Sequence, residues 1–260
     1  MKMAPPHLLI GTVFRDGAAT LAAAADSILT QQDHGARVSL LFVDDSSTDD
    51  WQSALGDRLW APGVHVRQVA LRSTARARNF VLEEAERAFP DVDYICRLDA
   101  DDVLAGPYVL RELVENLERE RPDALIAGNL QKRDGAILAR PNRATADLLN
   151  PRALTERIER MAIGDPTAEL PSCNTVVRRG LPIRFPIVAS AEDHWLTTAL
   201  LLGDHVWRVV VAPELIYSVY RLRGENTLQN EATAAYLACR RELLAFAREQ
   251  LRMRLAHGKG

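Results

Sequence analysis

Three carboxylates, Asp99, Asp101 and Asp102, follow one short apolar run at residues 94–98. The run has the composition of a buried strand, so these carboxylates come where the chain leaves the core. Carboxylates this close repel one another unless a cation or a set of hydrogen-bond donors offsets their charge. Because hard divalent cations prefer oxygen ligands, the stretch is the first candidate for a metal and phosphate site.

Two further acidic groups stand at the edges of predicted elements. Residues 44–50 follow another apolar run and begin with Asp44 and Asp45. Runs of Asp, Ser and Thr also serve as helix N-caps, which is their commoner use. Glu192 and Asp193 open a predicted helix, where the helix dipole alone already favours acidic residues.

Apolar strands alternate with amphipathic helices over the first half of the chain. Strands are predicted at residues 7–14, 38–43, 64–71, 94–98 and 124–128, and helices at 20–31, from about 51, at 74–89 and at 107–121. This alternation predicts an α/β fold of the Rossmann-like kind, with a mostly parallel sheet flanked by helices. Ligands of such sheets bind beyond the carboxyl ends of the strands. Thr12 and both strand-end acidic runs lie there, so they are expected to share one crevice.

From about residue 130 the segments become shorter and less regular. A helix is predicted at 155–163, extended pieces at 171–177 and 184–188, a helix at 191–202, strands at 206–211 and 215–220, and an Arg-rich helix at 230–255. The arginines of this last helix are predicted to form a solvated face, and His194 to be a surface or packing residue.

Composition excludes several classes of function. A hydrophobic share of 47% with 26% charged residues is typical of soluble globular proteins, and the net charge of −3 gives no reason to expect nucleic acid. No run approaches the roughly 18 apolar residues of a membrane span, and the three cysteines lack CxxC spacing. We therefore expect a cytoplasmic protein without an integral membrane segment. Neither a dinucleotide fingerprint nor a P-loop follows the first strand.

The order of these motifs resembles the inverting family 2 glycosyltransferases of the GT-A fold. The matching segments are IGTVFR at 10–15, VDDSSTD at 43–49, ARN at 77–79, LDADD at 98–102, EDHWL at 192–196 and YRLRGENT at 220–227. They are similar to the family's I-P-T-Y-N-R, V-D-D-G-S-T-D, A-R-N, L-D-A-D-D (its DXD motif), E-D-x-x-L and Y-R-x-H-x-x-N-T. The resemblance spans roughly residues 7–227, and the order and spacing of its parts make it specific.

The resemblance implies one GT-A domain over residues 1–260. The segment of about residues 7–128 would bind the nucleotide-sugar. The segment of about residues 129–260 would form a smaller acceptor-binding region with the C-terminal helix. The implied reaction moves a sugar from a nucleotide-diphosphate sugar, expected to be a UDP-sugar, to a hydroxyl of a small molecule or glycan, with inversion. The sequence is also compatible with a homodimer.

The resemblance further implies which residues bind the donor: Thr12, Asp44, Asp45, Arg78, Asp99, Asp101 and Arg223. Asp45 would accept from the uracil N–H with Thr12 nearby. Asp99 and Asp101 would face the ribose and the sugar, while Arg78 or Arg76 would reach the base or the phosphates.

Metal and base are implied in the same way. Mn²⁺ or Mg²⁺ would be bound by Asp101 or Asp102, and spacing does not decide between them. Asp193 would be the general base that takes the acceptor proton, and Glu192 would position it.

One departure from the family pattern concerns the leaving group. Where many relatives carry a histidine, this chain has Arg223. An arginine cannot ligate a metal, but its guanidinium can neutralise a pyrophosphate directly. We hypothesise that Arg223, together with Arg221, assists departure of the nucleotide.

Two other functions fit parts of the pattern. A sugar-phosphate nucleotidyltransferase also places carboxylates and Mg²⁺ at a sheet edge, but it usually opens with a Gly-rich basic loop that residues 11–15 do not supply. A nucleotide-sugar-binding module without turnover would share the donor residues, and release of UDP separates it from an enzyme. The transferred sugar and the acceptor are not defined by any motif in residues 130–190.

Overall fold

Nine strands form one mixed sheet within the residues that the computed structural model describes, 4–133, 136–138, 141–222 and 234–257. The strands are β1 His7–Phe14, β2 Arg37–Asp45, β3 Val64–Val69, β4 Tyr94–Arg97, β5 Val103–Leu104, β6 Ala124–Arg133, β7 Ala136–Ile137, β8 Thr175–Arg178 and β9 Val209–Leu222. Their order is β3-β2-β1-β4-β8-β6-β9-β5, with β7 paired to β6.

The α-helices lie between these strands and at the end of the described chain. They are α1 Leu21–Leu29, α2 Trp51–Leu55, α3 Thr74–Ala88, α4 Val109–Glu120, α5 Pro151–Ala162, α6 Glu192–Leu202 and α7 Ala234–Ala256. Helix α5 begins earlier than predicted, because Pro151 suits a first helical position and Asn150 accepts from the N–H groups of Arg152 and Ala153. Across the described ranges, no helix combines the length and apolarity that crossing a membrane requires.

The first half of the sheet is parallel, as predicted. Strand β1 pairs in parallel with both β2 and β4, and β2 pairs in parallel with β3. The register sets Phe14 opposite Asp44 and Gly11 opposite Arg97. The carboxyl ends of these strands therefore lie at one edge, and their polar loops meet there.

One detail of the second half of the sheet was not predicted, and another differs from the prediction. The short strand β8 lies antiparallel between β4 and β6, so these two strands do not pair. The two strands predicted at 206–211 and 215–220 are one strand of 14 residues. Its register with β6 shifts between Ala127 and Asn129, opposite the segment with Pro213. A β-bulge accommodates this proline, which lacks an N–H, without ending the strand.

Helices bury an apolar core on both faces of the sheet. Leu8, Ile10 and Phe14 of β1 pack on one face with residues of α1 and α4, whose Leu110 and Leu113 are fully buried. Leu9, Leu41 and Ile95 pack on the other face with residues of α3 and α6. A third cluster joins α5 to α7.

A glycine brings α3 close to the sheet. A Cβ on Gly11 would lie 2.5 Å from Cγ1 of Val81, which is closer than real contacts allow. The absence of a side chain at Gly11 therefore lets α3 lie close to β1. Arg78 projects from this helix toward the sheet edge.

Candidate active site

The loop before α3 is organised by Asp45. Its Oδ1 accepts from the N–H groups of Leu71 (2.6 Å) and Arg72 (2.9 Å), and its Oδ2 from that of Ser73 (3.1 Å). Ser73 in turn caps α3 by accepting from the Arg76 N–H. Three of the roughly four acceptor positions of this carboxylate are thus occupied by backbone donors, and its contact with a nucleobase stays a prediction.

Asp44 and Thr12 lie beside this loop. Oδ1 of Asp44 accepts from the N–H of Ser47 at 2.8 Å, and Oδ2 from the indole of Trp51 at 3.2 Å and the amide of Gln68 at 3.3 Å. Asp44 therefore ties α2 and β3 to the end of β2. The fully buried Oγ1 of Thr12 has no hydrogen-bond partner in the described part of the chain.

Five charged side chains form what we call the arginine–carboxylate cluster: Arg78, Arg97, Asp99, Glu192 and Asp193. Arg78 donates to both oxygens of Asp99, at 3.0 and 3.2 Å, and to Glu192 Oε1. Nη2 of Arg97 donates to Oδ2 of Asp193 at 3.3 Å, and its Nε is 3.4 Å from Oδ1 of Asp99. Residues far apart in the chain, from α3, β4 and α6, thus share one ionic network.

Burial and charge act against each other in this cluster. Burial raises the pKa of Asp193, but His194, Arg97 and Arg78 lower it more, so the net pKa lies well below the ordinary range. Burial likewise raises the pKa of Asp99, and Arg97 and Arg78 bring it below its usual value. Burial lowers the pKa of Arg78, but Asp99 and Glu192 raise it overall. Asp99 and Asp193 are therefore ionised at neutral pH.

Asp102 differs from its neighbours in the acidic loop. It is buried, and its Oδ1 accepts from the N–H of Arg221 at 3.0 Å. Burial, followed by the charges of Asp99 and Asp101, raises its pKa well above the ordinary value. A carboxyl in this setting is stabilised in its ionised form by a nearby cation.

The described residues contain no group of three or more His, Cys, Asp or Glu side chains that could hold a metal ion by themselves. Mg²⁺ is often held by one or two carboxylates together with water and substrate phosphates. Asp101 and Asp102 fit a cation of that kind, with most of its ligands supplied from outside the protein.

A cavity of about 240 Å³ opens beside the arginine–carboxylate cluster. It is lined by Arg78, Asp99, Asn129, Gln131, Asn142, Glu169, Ser172, Ser190, Glu192, Asp193, His194, Tyr220, Tyr236 and Arg240, among others. The buried Oδ1 of Asn129 and Oγ of Ser190 have no hydrogen-bond partner within the described ranges. The wall is therefore suited to a ligand with hydroxyl groups.

A second network, here called the histidine cluster, consists of Glu169, Ser172, His194, Tyr236 and Arg240. His194 Nε2 is 2.7 Å from Glu169 Oε2, and its Nδ1 is 2.7 Å from Ser172 Oγ. Glu169 Oε1 also accepts from Tyr236 OH at 3.0 Å and from Arg240 Nη2 at 3.2 Å. The prediction that the arginines of the last helix form a solvated face is wrong for Arg240, which is 3% exposed.

Charge partners also set the pKa values in the histidine cluster. Burial lowers the pKa of His194, but Asp193 and Glu169 raise it above the ordinary value. Burial raises the pKa of Glu169, whereas His194 and Arg240 bring it below its ordinary value. The protonated form of the buried His194 is thus favoured by its two carboxylate neighbours, which its position in the sequence did not indicate.

The structure brings together four of the residues expected at the site, Arg78, Asp99, Glu192 and Asp193. Glu192 contacts Arg78, whereas Asp193 is held by Arg97 and by the His194 N–H at 2.9 Å. Arg223 lies outside the described residues, and its role stays a hypothesis.

Sequence reasoning missed Arg97 and the histidine cluster. A signal for Arg97 was present, since it is a charged residue inside an apolar strand directly before the acidic loop. Glu169 and Arg240 had no such signal, because their contact joins residues 71 positions apart.

A mixed sheet with an acidic loop after β4, and a cavity beside that loop, defines the GT-A class of fold. The family model described as glycosyl transferase family 2 matches residues 9–181. The chain belongs to this family, and it is a glycosyltransferase.

Solved structures show the same fold at low identity. S. aureus TarS 1-349 in complex with UDP-GlcNAc matches with a TM-score of 0.66 and 16% identity, covering 94% of this chain and 72% of that one. The mannosyltransferase PcManGT from Pyrobaculum calidifontis, in complex with GDP-Man and Mn²⁺, matches with a TM-score of 0.57 and 15% identity, covering 97% and 76%. A search of curated proteins found no match.

Proposed function

We propose that this protein transfers a sugar from a nucleotide-diphosphate sugar, with a UDP-sugar as the expected donor, to an acceptor hydroxyl with inversion. The observation that carries the proposal is the position of Asp193 on the cavity wall, joined through Arg97 to Asp99 of the acidic loop. The ligands of the two structural neighbours support it, since both are nucleotide-sugars. Glycosyltransferase family 2 membership argues against the nucleotidyltransferase alternative.

Asp193 is the proposed general base. Its carboxylate would take the proton of the acceptor hydroxyl while that oxygen forms a bond to the anomeric carbon. The bond from this carbon to the diphosphate breaks on the opposite face, so one displacement inverts the anomeric centre. Because its low pKa keeps it ionised, Asp193 can accept this proton at neutral pH.

The donor would lie against the carboxyl ends of β1, β2 and β4. Asp45 and Thr12 are proposed to face the nucleobase, and Asp44 to support them by holding α2 and β3 in place. Asp99, whose two oxygens are fixed by Arg78, would face the ribose and the sugar.

Departure of the nucleotide needs its charge to be offset. Mn²⁺ or Mg²⁺ held by Asp101 or Asp102 would supply that charge, as a Lewis acid does in related chemistry. The N–H of Arg221 bonded to Asp102 keeps this carboxyl oriented. The guanidinium of Arg223 is proposed to offset part of the same negative charge on the departing nucleotide.

Release of UDP from a panel of UDP-sugars, with and without candidate acceptors, tests this function. We expect one donor to be consumed by the wild type, and Asp193→Asn to lower the transfer rate by about 10²–10⁴-fold. Asp204→Asn, an exposed carboxylate beyond the other end of α6, is the matched control and should keep the wild-type rate. Binding of nucleotide-sugars without turnover of any of them would point instead to a binding module.

A further inference from the structure

Arg97 is the one side chain of the arginine–carboxylate cluster that contacts both Asp99 and Asp193. Tyr94 and Cys96 of β4 pack in the core beneath α1 and α4, so the alternation of the strand directs Arg97 to the opposite face. That face carries α3 and α6. The side chain is 11% exposed, and it reaches the first turn of α6.

Both arginines of the cluster rest on one aromatic ring. The guanidinium carbons of Arg78 and Arg97 lie 5.8 and 5.9 Å from the centroid of Phe185. The backbone of Phe185 is held by Asn79, which accepts from its N–H at 2.7 Å and donates to its carbonyl at 2.9 Å. Asn79 therefore fixes the ring of Phe185, against which the two guanidinium groups lie. The two residues are more than 100 positions apart in the chain.

We propose that Arg97 is a positioning residue for the base. By bridging Asp99 and Asp193 over the ring of Phe185, it sets the distance between the carboxylate that faces the donor sugar and the carboxylate that takes the acceptor proton. Asn79 supports this arrangement by holding Phe185. The inference rests on the proposed function, and specifically on Asp193 as the base.

A planar guanidinium is required for this role. Its Nη2 donates to Oδ2 of Asp193 at 3.3 Å while its Nε forms an ion pair with Oδ1 of Asp99 at 3.4 Å, so two nitrogens of one rigid group meet two different carboxylates. A lysine ammonium is a point charge and cannot span the two carboxylates in the same way. A lysine at position 97 would keep a positive charge beside Asp193 but would lose the simultaneous contact with Asp99 and Asp193.

Charge and geometry at Arg97 have separate effects on activity. The titratable and charged groups that act on Asp193 are Arg97 from β4, Arg78 from α3, Asp99 from the acidic loop, the buried thiol of Cys173 and His194 from α6. Removal of the Arg97 cation raises the pKa of Asp193, so the acid limb of the pH profile of kcat/KM moves to higher pH. Loss of the geometry alone lowers kcat and leaves that limb in place.

The test compares Arg97→Gln with Arg97→Lys. In Arg97→Gln we expect kcat to fall by about 10–100-fold, because small misplacements of reacting groups have effects of this size. The acid limb of the pH profile should also move to higher pH, and added guanidinium ion should restore part of the rate. In Arg97→Lys, kcat should fall while the acid limb stays in place. Titration with UDP should show near-native binding in both variants.

Arg179→Gln is the matched control, since it loses an ion pair with Glu86 outside the cavity. An unchanged kcat and an unchanged acid limb in folded Arg97→Gln and Arg97→Lys would overturn the proposal. If Arg97→Gln does not fold, Arg97→Lys with wild-type kcat overturns it equally.

Asp193→Asn separates this outcome from failure of the proposed function. Inactive Asp193→Asn beside fully active Arg97 variants would refute only the role of Arg97. Active Asp193→Asn would refute the base itself.

Discussion

The two buried ionic clusters meet at the first turn of α6 and differ in what their charges face. Glu192 and Asp193 belong to the arginine–carboxylate cluster, whereas the next residue, His194, belongs to the histidine cluster. Successive helical residues point in directions about 100° apart, so one turn serves both networks. The helix that carries the proposed base is thereby fixed from two sides.

Their charge balances are opposite. The arginine–carboxylate cluster sets three carboxylates against two guanidinium groups, while the histidine cluster sets Glu169 against His194 and Arg240. Both oxygens of Glu169 are occupied by protein donors. The comparison indicates that excess negative charge marks the cluster proposed for proton transfer, and that the saturated carboxylate of the other cluster stabilises the fold.

The largest expected effect separates two neighbours in the sequence. Asp193→Asn should lower the rate by about 10²–10⁴-fold, and because it removes one partner from a buried ionic network it should also lower the melting temperature. His194→Gln should lower the melting temperature as well, but it should keep a rate within about threefold of the wild type while folded. Thermal unfolding and transfer assays on the same samples check both. Equal loss of activity in the two variants would remove the distinction between the clusters.

The next prediction concerns pH and Glu169. Loss of one partner from a buried ionic network destabilises a protein by about 3–5 kcal/mol, which for a chain of this size lowers the melting temperature by about 6–20 °C. We expect a change of this size in Glu169→Gln near neutral pH. Glu249→Gln, an exposed partner of Arg252, should change little.

The pH window of this stabilisation follows from the two pKa shifts. Because the pKa of Glu169 is lowered, its contribution is present above the ordinary value of 4.5 and is lost as pH falls through the lowered pKa. Because the pKa of His194 is raised, its contribution is present below 6.5 and is lost as pH rises through the raised pKa. The difference between wild type and Glu169→Gln should therefore be greatest at about pH 4.5–6.5. A difference that grows steadily above this window would contradict the assignment.

The smallest expected effect tests how α3 delivers Arg78 to the first cluster. Gly11→Ala forces a Cβ against Val81, and overpacking of this kind destabilises by about 1–3 kcal/mol. If α3 shifts away from the sheet, the rate should fall as well. Gly106→Ala is the control, since its added Cβ meets nothing within 4 Å. Urea denaturation and rate measurements on both variants compare the two positions. A Gly11→Ala variant with wild-type stability and rate would show that α3 can accommodate the added Cβ without moving.

Local patterns predicted the parallel half of the sheet closely. Strand β1 has the predicted bounds, and α3 ends one residue before the predicted end at Phe89. Continuous apolar runs and helical spacing are properties of neighbouring residues, so they can be read without tertiary information. The position of β8 between β4 and β6 and the continuity of β9 were not predictable in this way. Strand pairing and the β-bulge in β9 depend on segments that are distant in the sequence.

The sequence by itself determined the chemistry available to this protein. Acidic runs at strand ends, an arginine in α3 and the pair Glu192–Asp193 were visible from residue types and spacing, and they indicated a site for a charged, phosphorylated donor. Only the tertiary structure decided which charges pair. Arg97 meets Asp193 across 96 positions and Glu169 meets Arg240 across 71, because the sheet and α7 bring them together. Ionic contacts between distant segments depend on three-dimensional packing, and no local pattern encodes them.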